Sequence, residues 1–475
     1  MLHVTIVGGG ISGLATAFYL QEKSREHNRE VQYTLVESAP HLGGKIATER
    51  VGEFVIEGGP DLMLTQKPWG VQLCQHLGLG DRLISTNDDQ RHTFLLQKGH
   101  LVPFPNDFTL LPTRLTSFVR SPMFSLWGKL RMGMDLIIPR RKEPGDESLA
   151  EFIRRRFGQA TVDKIGGPLL AAIHQADPER LSLLATFPRF ATMEQEHGSL
   201  IRAMRAQKRK QPPSKGKPPA MFKSLKLGIS EMVEALAKRL DGDLRTGSPV
   251  INVRPCNEGF EVTLPDEIFP TNVLVLAVPA YVAAELTTPF ASELGGILGT
   301  IRYVSSGTVS LGYRKAEIEH QHELNGFGFL VPKSEGRSIS GCTWSSSKLQ
   351  YRAPDDCVLI RAFVGGPGQE DIISLDDGDL VQLVRREIGD IMGITADPVV
   401  QRIHRWPRGR PQYDVGHLDL VAKIEALADT IPGLFLTGSA YRGSGIPDCV
   451  KEALNTVDRI LGPKVQRKQQ GEGFS

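Results

Sequence analysis

The chain of 475 residues is predicted to adopt an α/β fold that opens with a strand–turn–helix unit. Residues 4–7 form a short apolar strand, and the turn at residues 8–13 has the pattern G-x-G-x-x-G. Apolar residues at helical spacing follow over residues 14–20. A second strand at residues 31–37 ends in a glutamate. This order of elements is typical of a Rossmann-type unit that binds a dinucleotide.

The glycines of this turn have separate physical roles. Gly8 permits a tight turn, Gly10 lets the backbone approach a pyrophosphate, and Gly13 lets the helix pack closely on the strand. The helix N-terminus then points at the phosphates. Glu37 lies 24 positions after Gly13, where a carboxylate accepts hydrogen bonds from ribose hydroxyls. The alternative is a glycine-rich turn without a ligand, which the second strand and its terminal glutamate disfavour.

The G-x-G-x-x-G pattern alone does not distinguish an FAD-binding unit from an NAD-binding unit, but the residues after it do. Residues 43–44 are both glycine and permit backbone contact with a ligand that extends beyond the ribose. The order E-x5-G-G-K, followed by an E-x-G-P turn at residues 57–60, resembles the flavin oxidoreductases that include amine oxidases, phytoene desaturases and protoporphyrinogen oxidases. Residues 326–328 and 443–445 have the pattern G-x-G, but both lack the third glycine that a second G-x-G-x-x-G motif requires. We therefore expect no separate nicotinamide-binding unit.

Composition excludes several classes of protein. Hydrophobic residues make up 40% and charged residues 23%, which excludes wholesale disorder. The net charge of +2 gives no electrostatic case for nucleic-acid binding. The five cysteines are scattered without a C-x-x-C pair, so we expect no disulfide framework, no metal site and a reducing compartment. No apolar run approaches the ~20 residues of a membrane span, and we expect no targeting peptide. The expected location is the cytoplasm, with peripheral contact to the cytoplasmic membrane as an open alternative.

Further elements follow from the local patterns. A helix is predicted over residues 68–79, a hairpin around Gly99 and alternating strands over residues 300–364. The remaining predictions are a helix at 230–240, strands at 243–253 and 258–264, a buried strand at 272–279 that ends in a Pro-started helix, a helix at 378–392, and a strand, Gly/Ser loop and helix over 433–461. The last of these places a second helix N-terminus behind a flexible turn, and we expect it to face a cofactor.

Two segments carry competing interpretations. Residues 125–138 have apolar side chains on more than one helical face, which fits either a buried helix or one that lies on a membrane. Residues 197–230 hold nine Lys or Arg and no acidic residue. The Pro-rich centre at 208–219 is interpreted as a loop. A solvated linker is the simpler account, and attraction to anionic lipid or an acidic substrate is the alternative.

These and further motifs resemble the oxygen-dependent protoporphyrinogen oxidases of the bacterial type, a family that includes coproporphyrinogen III oxidases. The resemblance runs nearly end to end, and the block over residues 128–199 is its most specific part. The motifs are 7–13, 43–45, 57–61, 128–131 with Asp135 and Pro139, 147–149, 156–158, 181–183, 187–188, Glu194, 198–199, Trp406, 411–413, 416–417 and 443–450.

The resemblance implies a flavin domain of the p-hydroxybenzoate-hydroxylase type, interleaved with an α+β substrate domain and a helical insert. The predicted segments are 1–66, 223–285 and 401–462 for the FAD-binding domain, 67–108 and 286–400 for the substrate domain, 109–222 for an insert that contacts a membrane in the family, and 463–475 for a disordered tail.

The resemblance also implies site residues. Family members that act on protoporphyrinogen often carry an arginine six residues before the hairpin glycine, as a clamp for a substrate carboxylate. Here Thr93 has that spacing and Arg91 lies two residues earlier, so either Arg91 is the substrate-binding clamp or the clamp is absent. The implied FAD contacts are Gly8, Gly9, Gly10, Ile11, Ser12, Gly13, Glu37, Gly44, Lys45, Gly58, Gly59, Pro60, Val250, Trp406, Ser439, Ser444, Gly445 and Ile446.

The implied activity is oxidation of protoporphyrinogen IX or coproporphyrinogen III to the porphyrin in haem biosynthesis, with oxygen as acceptor and hydrogen peroxide as product. The sequence shows no G-x-S-x-G elbow and no H-E-x-x-H motif, so we assign no acid–base residue. This agrees with a reaction whose chemistry resides in the cofactor. A different flavin amine oxidase or carotenoid desaturase, and a non-catalytic FAD-binding protein, are the alternatives. Ferrochelatase or a second copy of the chain are the protein partners that we consider.

Overall fold

The computed structural model describes residues 1–88, 92–104, 124–143, 145–167, 175–210 and 220–462. Twenty strands lie in these ranges: β1 Leu2–Val7, β2 Val31–Val36, β3 Thr48–Val51, β4 Phe54–Glu57, β5 Met63–Leu64, β6 Leu83–Ser85, β7 Thr93–Gln97, β8 His100–Phe104, β9 Phe222–Leu225, β10 Asp243–Arg245, β11 Asn252–Cys256, β12 Gly259–Thr263, β13 Ile268–Thr271, β14 Val273–Leu276, β15 Tyr303–Arg314, β16 Gly328–Leu330, β17 Ile339–Trp344, β18 Cys357–Gly365, β19 Val400–Pro411 and β20 Leu434–Leu436.

The same ranges contain twelve helices of eight or more residues: α1 Ile11–Glu26, α2 Trp69–His76, α3 Leu126–Gly133, α4 Leu149–Phe157, α5 Pro188–His197, α6 Leu200–Lys210, α7 Ser230–Arg239, α8 Ala280–Thr287, α9 Ser292–Gly299, α10 Asp377–Met392, α11 His417–Asp429 and α12 Ile446–Leu461. Shorter helical segments are Gly80–Arg82, Met134–Leu136, Gln159–Thr161, Val162–Gly166, Leu183–Thr186, Lys315–Ile318, Lys333–Glu335, Ser345–Lys348 and Glu370–Ser374.

The chain divides into two units, and unit 1 consists of Met1–Gly44, Met232–Gly299 and Lys423–Ser475. Its centre is a five-stranded parallel sheet in the order β10-β2-β1-β14-β20. Strand β1 lies in the middle, and its Val4 and Ile6 side chains are completely buried. This burial is what a central parallel strand requires, because helices cover both faces of such sheets. The predicted Rossmann-type opening of the chain is therefore confirmed.

Two later predictions for unit 1 are also confirmed. Strand β14 is buried at all four positions, and helix α8 begins directly after Pro279. Helix α12 follows β20 through the glycine-rich loop, and its Lys23–Asp458 ion pair ties it to α1. The loop between β20 and α12 therefore starts at the carboxyl edge of the sheet, the same edge at which β1 leads into α1.

Unit 2 consists of Lys45–Glu231 and Thr300–Ala422. Its main sheet has seven strands in the order β19-β15-β18-β17-β16-β7-β8, and only the β16–β7 pair is parallel. The β7–β8 hairpin turns at Gly99 with φ +76°, which confirms the predicted hairpin. One face of the sheet packs against α10 through Leu380, Val384 and Ile388. The helices of the insert pack against the other face at its β7, β8 and β16 end.

The helical insert of unit 2 is organised by its sequence signals. Helix α4 begins with a capping box, in which the Ser148 side chain accepts from the Glu151 backbone and the Glu151 side chain accepts from the Ser148 backbone. Phe152, Phe157 and Leu200 belong to one buried core that joins α4 to α6. The predicted helical insert is confirmed for the described part of the chain.

A buried ionic network holds this insert together. The Arg156 guanidinium is completely buried and donates to the Asp135 carboxylate at 2.6 Å and to the Gly198 carbonyl at 2.6 Å. The other Asp135 oxygen accepts from the Ser199 hydroxyl at 2.6 Å. Glu194 binds the neighbouring Arg155 at 2.6 Å, and this charge lowers the pKa of Glu194 against the raising effect of burial. Several residues of the 128–199 block that carries the family resemblance therefore have a structural role.

The structure corrects two sequence predictions. The single strand expected over residues 243–253 is two strands, β10 and β11, because Gly247 turns the backbone with φ +65° and Pro249 lacks a ladder donor. The loop expected at 208–219 begins later than predicted, because helix α6 continues to Lys210. Residues 211–219 lie outside the described residues.

The domain boundaries that the sequence predicts stay predictions. Residues 45–66, which we expected in the first FAD-binding segment, group with unit 2 by their contacts. The tail at 463–475 lies outside the described residues. In the described part of the chain, no helix is long and apolar enough to cross a membrane.

Replacement of Arg156 by methionine is expected to lower the thermal unfolding midpoint, because it leaves the Asp135 carboxylate buried without its cation. Loss of one partner from a buried pair costs about 3–5 kcal/mol. The double variant Asp135→Asn/Arg156→Met should recover part of this loss, since no unpaired charge then stays buried. The control is Arg154→Met on the same helix, where the half-exposed pair with Glu179 contributes about 1 kcal/mol or less. Equal midpoints for Arg156→Met and Arg154→Met would contradict the structural role of the network.

Candidate functional site

The glycine-rich turn of unit 1 leaves an open cradle at the start of α1. Gly8 has φ +109°, and a Cβ on Gly13 would lie 1.8 Å from the Gly8 carbonyl oxygen, so the helix contacts the turn backbone directly. A Cβ on Gly10 would meet no atom within 4 Å. Gly10 caps α1 in an extended conformation, and no side chain caps this end. Space and free backbone donors at a helix N-terminus fit a pyrophosphate.

Glu37 is fixed beside this turn. One carboxylate oxygen accepts from the Gly9 N–H at 2.6 Å, and the other accepts from the Ala39 N–H at 2.8 Å. A Cβ on Gly9 would lie 2.9 Å from the Glu37 Cβ, so only glycine permits this approach. The Ser38 hydroxyl also donates to the second oxygen at 3.2 Å, so the first oxygen, which has one backbone donor, keeps a lone pair for a ribose hydroxyl. The predicted pairing of the turn with the carboxylate directly after β2 is therefore present.

Two further segments of unit 1 lie against the same turn. The Gly43 N–H donates to the Gly9 carbonyl at 2.8 Å, and a Cβ on Gly44 would lie 3.2 Å from the Gly10 Cα. The loop after β20 approaches α1, since a Cβ on Gly438 would lie 3.8 Å from the Ser12 hydroxyl. The predicted contacts in unit 1 are Gly8, Gly9, Gly10, Ile11, Ser12, Gly13, Glu37, Gly44, Val250, Ser439, Ser444, Gly445 and Ile446.

Val250 and the 443–446 segment have clear local settings. The Ser248 N–H, two residues before Val250, donates to the Glu37 carbonyl at 2.9 Å. Helix α12 begins at Ile446 after the extended Gly445, with a proline in its first turn and no side-chain cap. Unit 1 thus has a helix start at the place that the sequence predicted, and no side chain caps it.

Unit 2 holds the other predicted contacts, which are Lys45, Gly58, Gly59, Pro60 and Trp406. The turn after β4 has no room for side chains. A Cβ on Gly58 would lie 2.2 Å from the His404 ring, and a Cβ on Gly59 would lie 1.8 Å from the Lys45 carbonyl oxygen. The His404 ring and the Lys45 backbone therefore press directly on the backbone of this turn, which we call the Gly58–Gly59 turn.

Three side chains from three adjacent strands donate to one carbonyl of this turn. The Gly58 oxygen accepts from Trp406 Nε1 at 2.9 Å, from the Arg361 guanidinium at 3.2 Å and from the Thr308 hydroxyl at 3.4 Å. Arg361 also donates to the Gly59 carbonyl at 2.6 Å. The turn is therefore fixed by the sheet rather than by its own local sequence.

The charges around the turn shift neighbouring pKa values. Burial would raise the pKa of Asp61, but the positive charges of Lys348 at 2.8 Å and of Arg361 outweigh it and lower this pKa to about 2. Burial raises the pKa of Glu57, against hydrogen bonds and the charge of Arg352. Burial and the charge of Arg361 lower the pKa of His404, against the opposing effect of Glu49.

Arg361, His404 and Thr308 were not identified from the sequence. The available signal was the alternation of polar residues at Ser306, Thr308 and Ser310 within a strand that is otherwise buried. All three polar residues are buried, and such positions require partners on the adjacent strands. The identity of those partners depends on register, which the local sequence does not reveal.

The remaining candidate residues lie in different settings in the structure. Arg91 lies outside the described residues. Arg131, the last residue of the 128–131 motif, donates to the carbonyls of Arg154, Arg155 and Arg156 at 2.9–3.1 Å and so caps the end of α4. Cys449 is buried in α12. No cluster of three potential metal ligands occurs among the residues that the structure describes.

Comparison with known proteins places this geometry in a family. The model of the family described as flavin containing amine oxidoreductase matches residues 11–461. The coproporphyrinogen III oxidase of Bacillus subtilis (strain 168) is 35% identical over 470 residues, with 97% of this chain and 98% of the relative covered. Protoporphyrinogen oxidase 1, chloroplastic, of Arabidopsis thaliana is 30% identical, with 96% of this chain and 87% of the relative covered.

A solved structure gives the same result for the fold. A protein from Exiguobacterium sp. 255-15, described provisionally as a protoporphyrinogen oxidase, superposes with a TM-score of 0.85 at 30% identity. The match covers 97% of this chain and 98% of the other. The predicted α/β fold and the expected FAD cofactor are thereby confirmed. The chain belongs to the flavin-containing amine oxidoreductases.

Proposed function

We propose that this chain is an FAD-dependent oxidase that converts a porphyrinogen into the porphyrin with oxygen as electron acceptor and hydrogen peroxide as product. The observation that carries the proposal is the similarity to porphyrinogen oxidases over nearly the whole length of both chains. The product would be an intermediate of haem biosynthesis. The alternatives are a different flavin oxidoreductase and a non-catalytic flavin protein, and turnover of a porphyrinogen separates them from this proposal.

We propose coproporphyrinogen III as the first substrate to test and protoporphyrinogen IX as the second. Support for the first is the 35% identity to a relative with that name, and support for the second is the 30% identity to the plant relative. The first molecule carries four propionates and the second two. A second cationic site is therefore expected to matter only for coproporphyrinogen III.

The residues of each unit would hold FAD through backbone contacts. In unit 1, the open cradle at Gly10 would take the pyrophosphate, and Glu37 would accept from the ribose. In unit 2, the Gly58–Gly59 turn and Trp406 would contact the cofactor. The His404 ring packs against Gly58 and leaves no room there for a side chain. FAD, when bound, supplies the group that accepts electrons. The protein contributes position and electrostatics, and no acid–base residue is assigned.

A peripheral contact with an anionic membrane surface is our proposal for the insert. Helix α3 and the turn after it expose Leu126, Trp127, Leu130, Met134 and Ile137, with Trp127 81% and Ile137 76% exposed. Large exposed apolar patches of this kind indicate an interaction surface.

Positive charge lies next to this apolar patch. Arg202 on the basic helix α6 donates to the Leu136 carbonyl at 2.8 Å, and Arg205 and Arg209 are exposed on the same helix. A groove of about 470 Å³ includes Ile137, Arg140 and Arg202 in its lining. Apolar side chains beside arginines match the interface of an anionic bilayer. Ferrochelatase and a second copy of the chain stay predicted partners.

Replacement of Gly10 by leucine is expected to abolish flavin binding while the fold persists. A Cβ at this position would meet no protein atom within 4 Å, so the side chain would start in the open space where the pyrophosphate approaches. The matched control is Gly296→Leu in α9, where a Cβ also meets nothing within 4 Å. The measurement is FAD content per chain after purification, with circular dichroism as the check on folding. Full flavin occupancy in Gly10→Leu would refute the placement of the phosphates.

Replacement of Arg91 by alanine is expected to raise the KM for the porphyrinogen on the order of tenfold or more, with flavin content unchanged. The reason is the loss of a cation for a substrate carboxylate, which costs on the order of 2–5 kcal/mol at a buried pair. Initial rates from porphyrin fluorescence with both porphyrinogens measure the effect. Lys333→Ala, an exposed cation of unit 2, is the control for loss of charge. A wild-type KM in Arg91→Ala would exclude Arg91 as the clamp.

The triple variant Trp127→Ser/Leu130→Ser/Ile137→Ser is expected to bind vesicles with anionic lipid at least tenfold more weakly, because it removes the exposed apolar surface of the insert. Vesicle co-sedimentation at low and high salt measures the effect. The control, Ile251→Ser/Ile268→Ser/Val399→Ser, removes three apolar residues elsewhere that are 48–65% exposed. Equal binding by the two triple variants would show that the patch does not contact the bilayer.

A further inference from the structure

Arg361 is a buried cation without a carboxylate partner. Its side chain is 5% exposed, and its hydrogen bonds go to the carbonyls of Gly58 at 3.2 Å and Gly59 at 2.6 Å. Its Nε–H has no hydrogen-bond partner among the described residues. Within that part of the chain, no carboxylate oxygen lies within 4.0 Å of the guanidinium. A charge in this position is costly, because burial removes its hydration without supplying a counter-ion.

Two other buried arginines of unit 2 are compensated. Arg156 is completely buried and lies 2.6 Å from the Asp135 carboxylate. Arg352 is 1% exposed, lies 3.8 Å from the Glu57 carboxylate and donates to the Ser224 hydroxyl at 2.8 Å. Arg361 differs from both because its hydrogen bonds go only to backbone oxygens, while its guanidinium lies 5.2 Å from the centroid of the Phe363 ring. Burial accordingly lowers the pKa of its guanidinium, and the more distant charges of Asp61 and Glu57 oppose this only in part.

The nearest acidic group does not neutralise the positive charge of Arg361 at the Gly58–Gly59 turn. The Asp61 carboxylate is paired with the Lys348 ammonium at 2.8 Å and also lies in the field of Arg361, so one negative charge faces two cations. Burial and the charge of Arg361 lower the pKa of His404, whose ring presses on Gly58, against the opposing effect of Glu49. The positive field of Arg361 is therefore present at the turn itself.

We propose that Arg361 is a positioning residue that fixes the two carbonyls of the Gly58–Gly59 turn and whose uncompensated charge favours the reduced form of the flavin bound along this turn. The inference rests on the proposed function, in which the turn contacts FAD. A flavin that takes up two electrons and one proton gains one negative charge. A nearby cation in a medium of low dielectric constant stabilises that charge and so raises the reduction potential.

The test is the midpoint potential of the protein-bound flavin, measured by equilibration with reference dyes. Arg361→Gln keeps a donor for the turn and removes the charge, whereas Arg361→Lys keeps the charge. We expect Arg361→Gln to shift the two-electron equilibrium at least tenfold toward the oxidised form, which corresponds to about 30 mV. Arg361→Lys should stay close to wild type. Equal potentials for wild type and a flavin-loaded Arg361→Gln would overturn the proposal.

A second variant, whose expected shift in flavin potential has the opposite sign, keeps the proposal testable if Arg361→Gln does not fold. Asp61→Asn removes a negative charge beside the turn, so its flavin potential should rise instead of fall. The control Arg352→Met removes an equally buried arginine whose partner, Glu57, can take up a proton, and its potential should not move. If Arg361→Gln fails to fold, an unchanged or lower potential in Asp61→Asn contradicts the proposal.

Failure of the proposed function has a different signature. Wild-type protein would then hold no FAD or would leave porphyrinogens unchanged, whatever the behaviour of the variants. A loaded and active wild type whose potential ignores both substitutions would retain the proposed function and reject the role of Arg361.

Discussion

Close backbone approach at glycines is the constraint on which the candidate cofactor contacts depend. In unit 1, a Cβ on Gly13 would lie 1.8 Å from the Gly8 carbonyl oxygen, so helix α1 can start only where that side chain is missing. In unit 2, a Cβ on Gly59 would meet the Lys45 carbonyl oxygen at the same distance. Each unit therefore offers backbone N–H and C=O groups where other proteins would offer side chains. This explains why a chain with a flavin cofactor shows no conspicuous nucleophile or acid–base pair in its sequence.

Charge is arranged differently in the two parts of unit 2 that the family resemblance marks. In the insert, Arg156 and Asp135 are both completely buried and neutralise each other, which fixes the positions of helices. At the Gly58–Gly59 turn, Arg361 donates to carbonyl oxygens and forms no ion pair with any described residue, so its positive charge is not cancelled. A motif that identifies a family can thus serve stability alone, whereas a residue outside every motif can act on the chemistry.

The sequence predicted the local parts of this structure because they depend on short-range signals. The turn at Gly8, the carboxylate at Glu37 and the Pro-started helix α8 follow from residue types at fixed spacing. The donors to the Gly58 carbonyl could not be predicted, since Arg361 is 303 positions away and meets it only through the register of β18 in the sheet. The split of the expected strand at 243–253 shows the same limit, because one residue at φ +65° decides it.

The ratio of oxygen consumed to coproporphyrin formed tests the central claim most directly. Purified wild-type protein with its native flavin would receive coproporphyrinogen III in an oxygen-electrode cell, with porphyrin followed by fluorescence in the same sample. The account predicts about three oxygen molecules per porphyrin, since three two-electron oxidations each return electrons from the cofactor to oxygen. It also predicts arrest of porphyrin formation in the absence of oxygen, even when NAD(P)+ is supplied. Porphyrin formation at the rate of the enzyme-free control, or at an undiminished rate without oxygen, would contradict it.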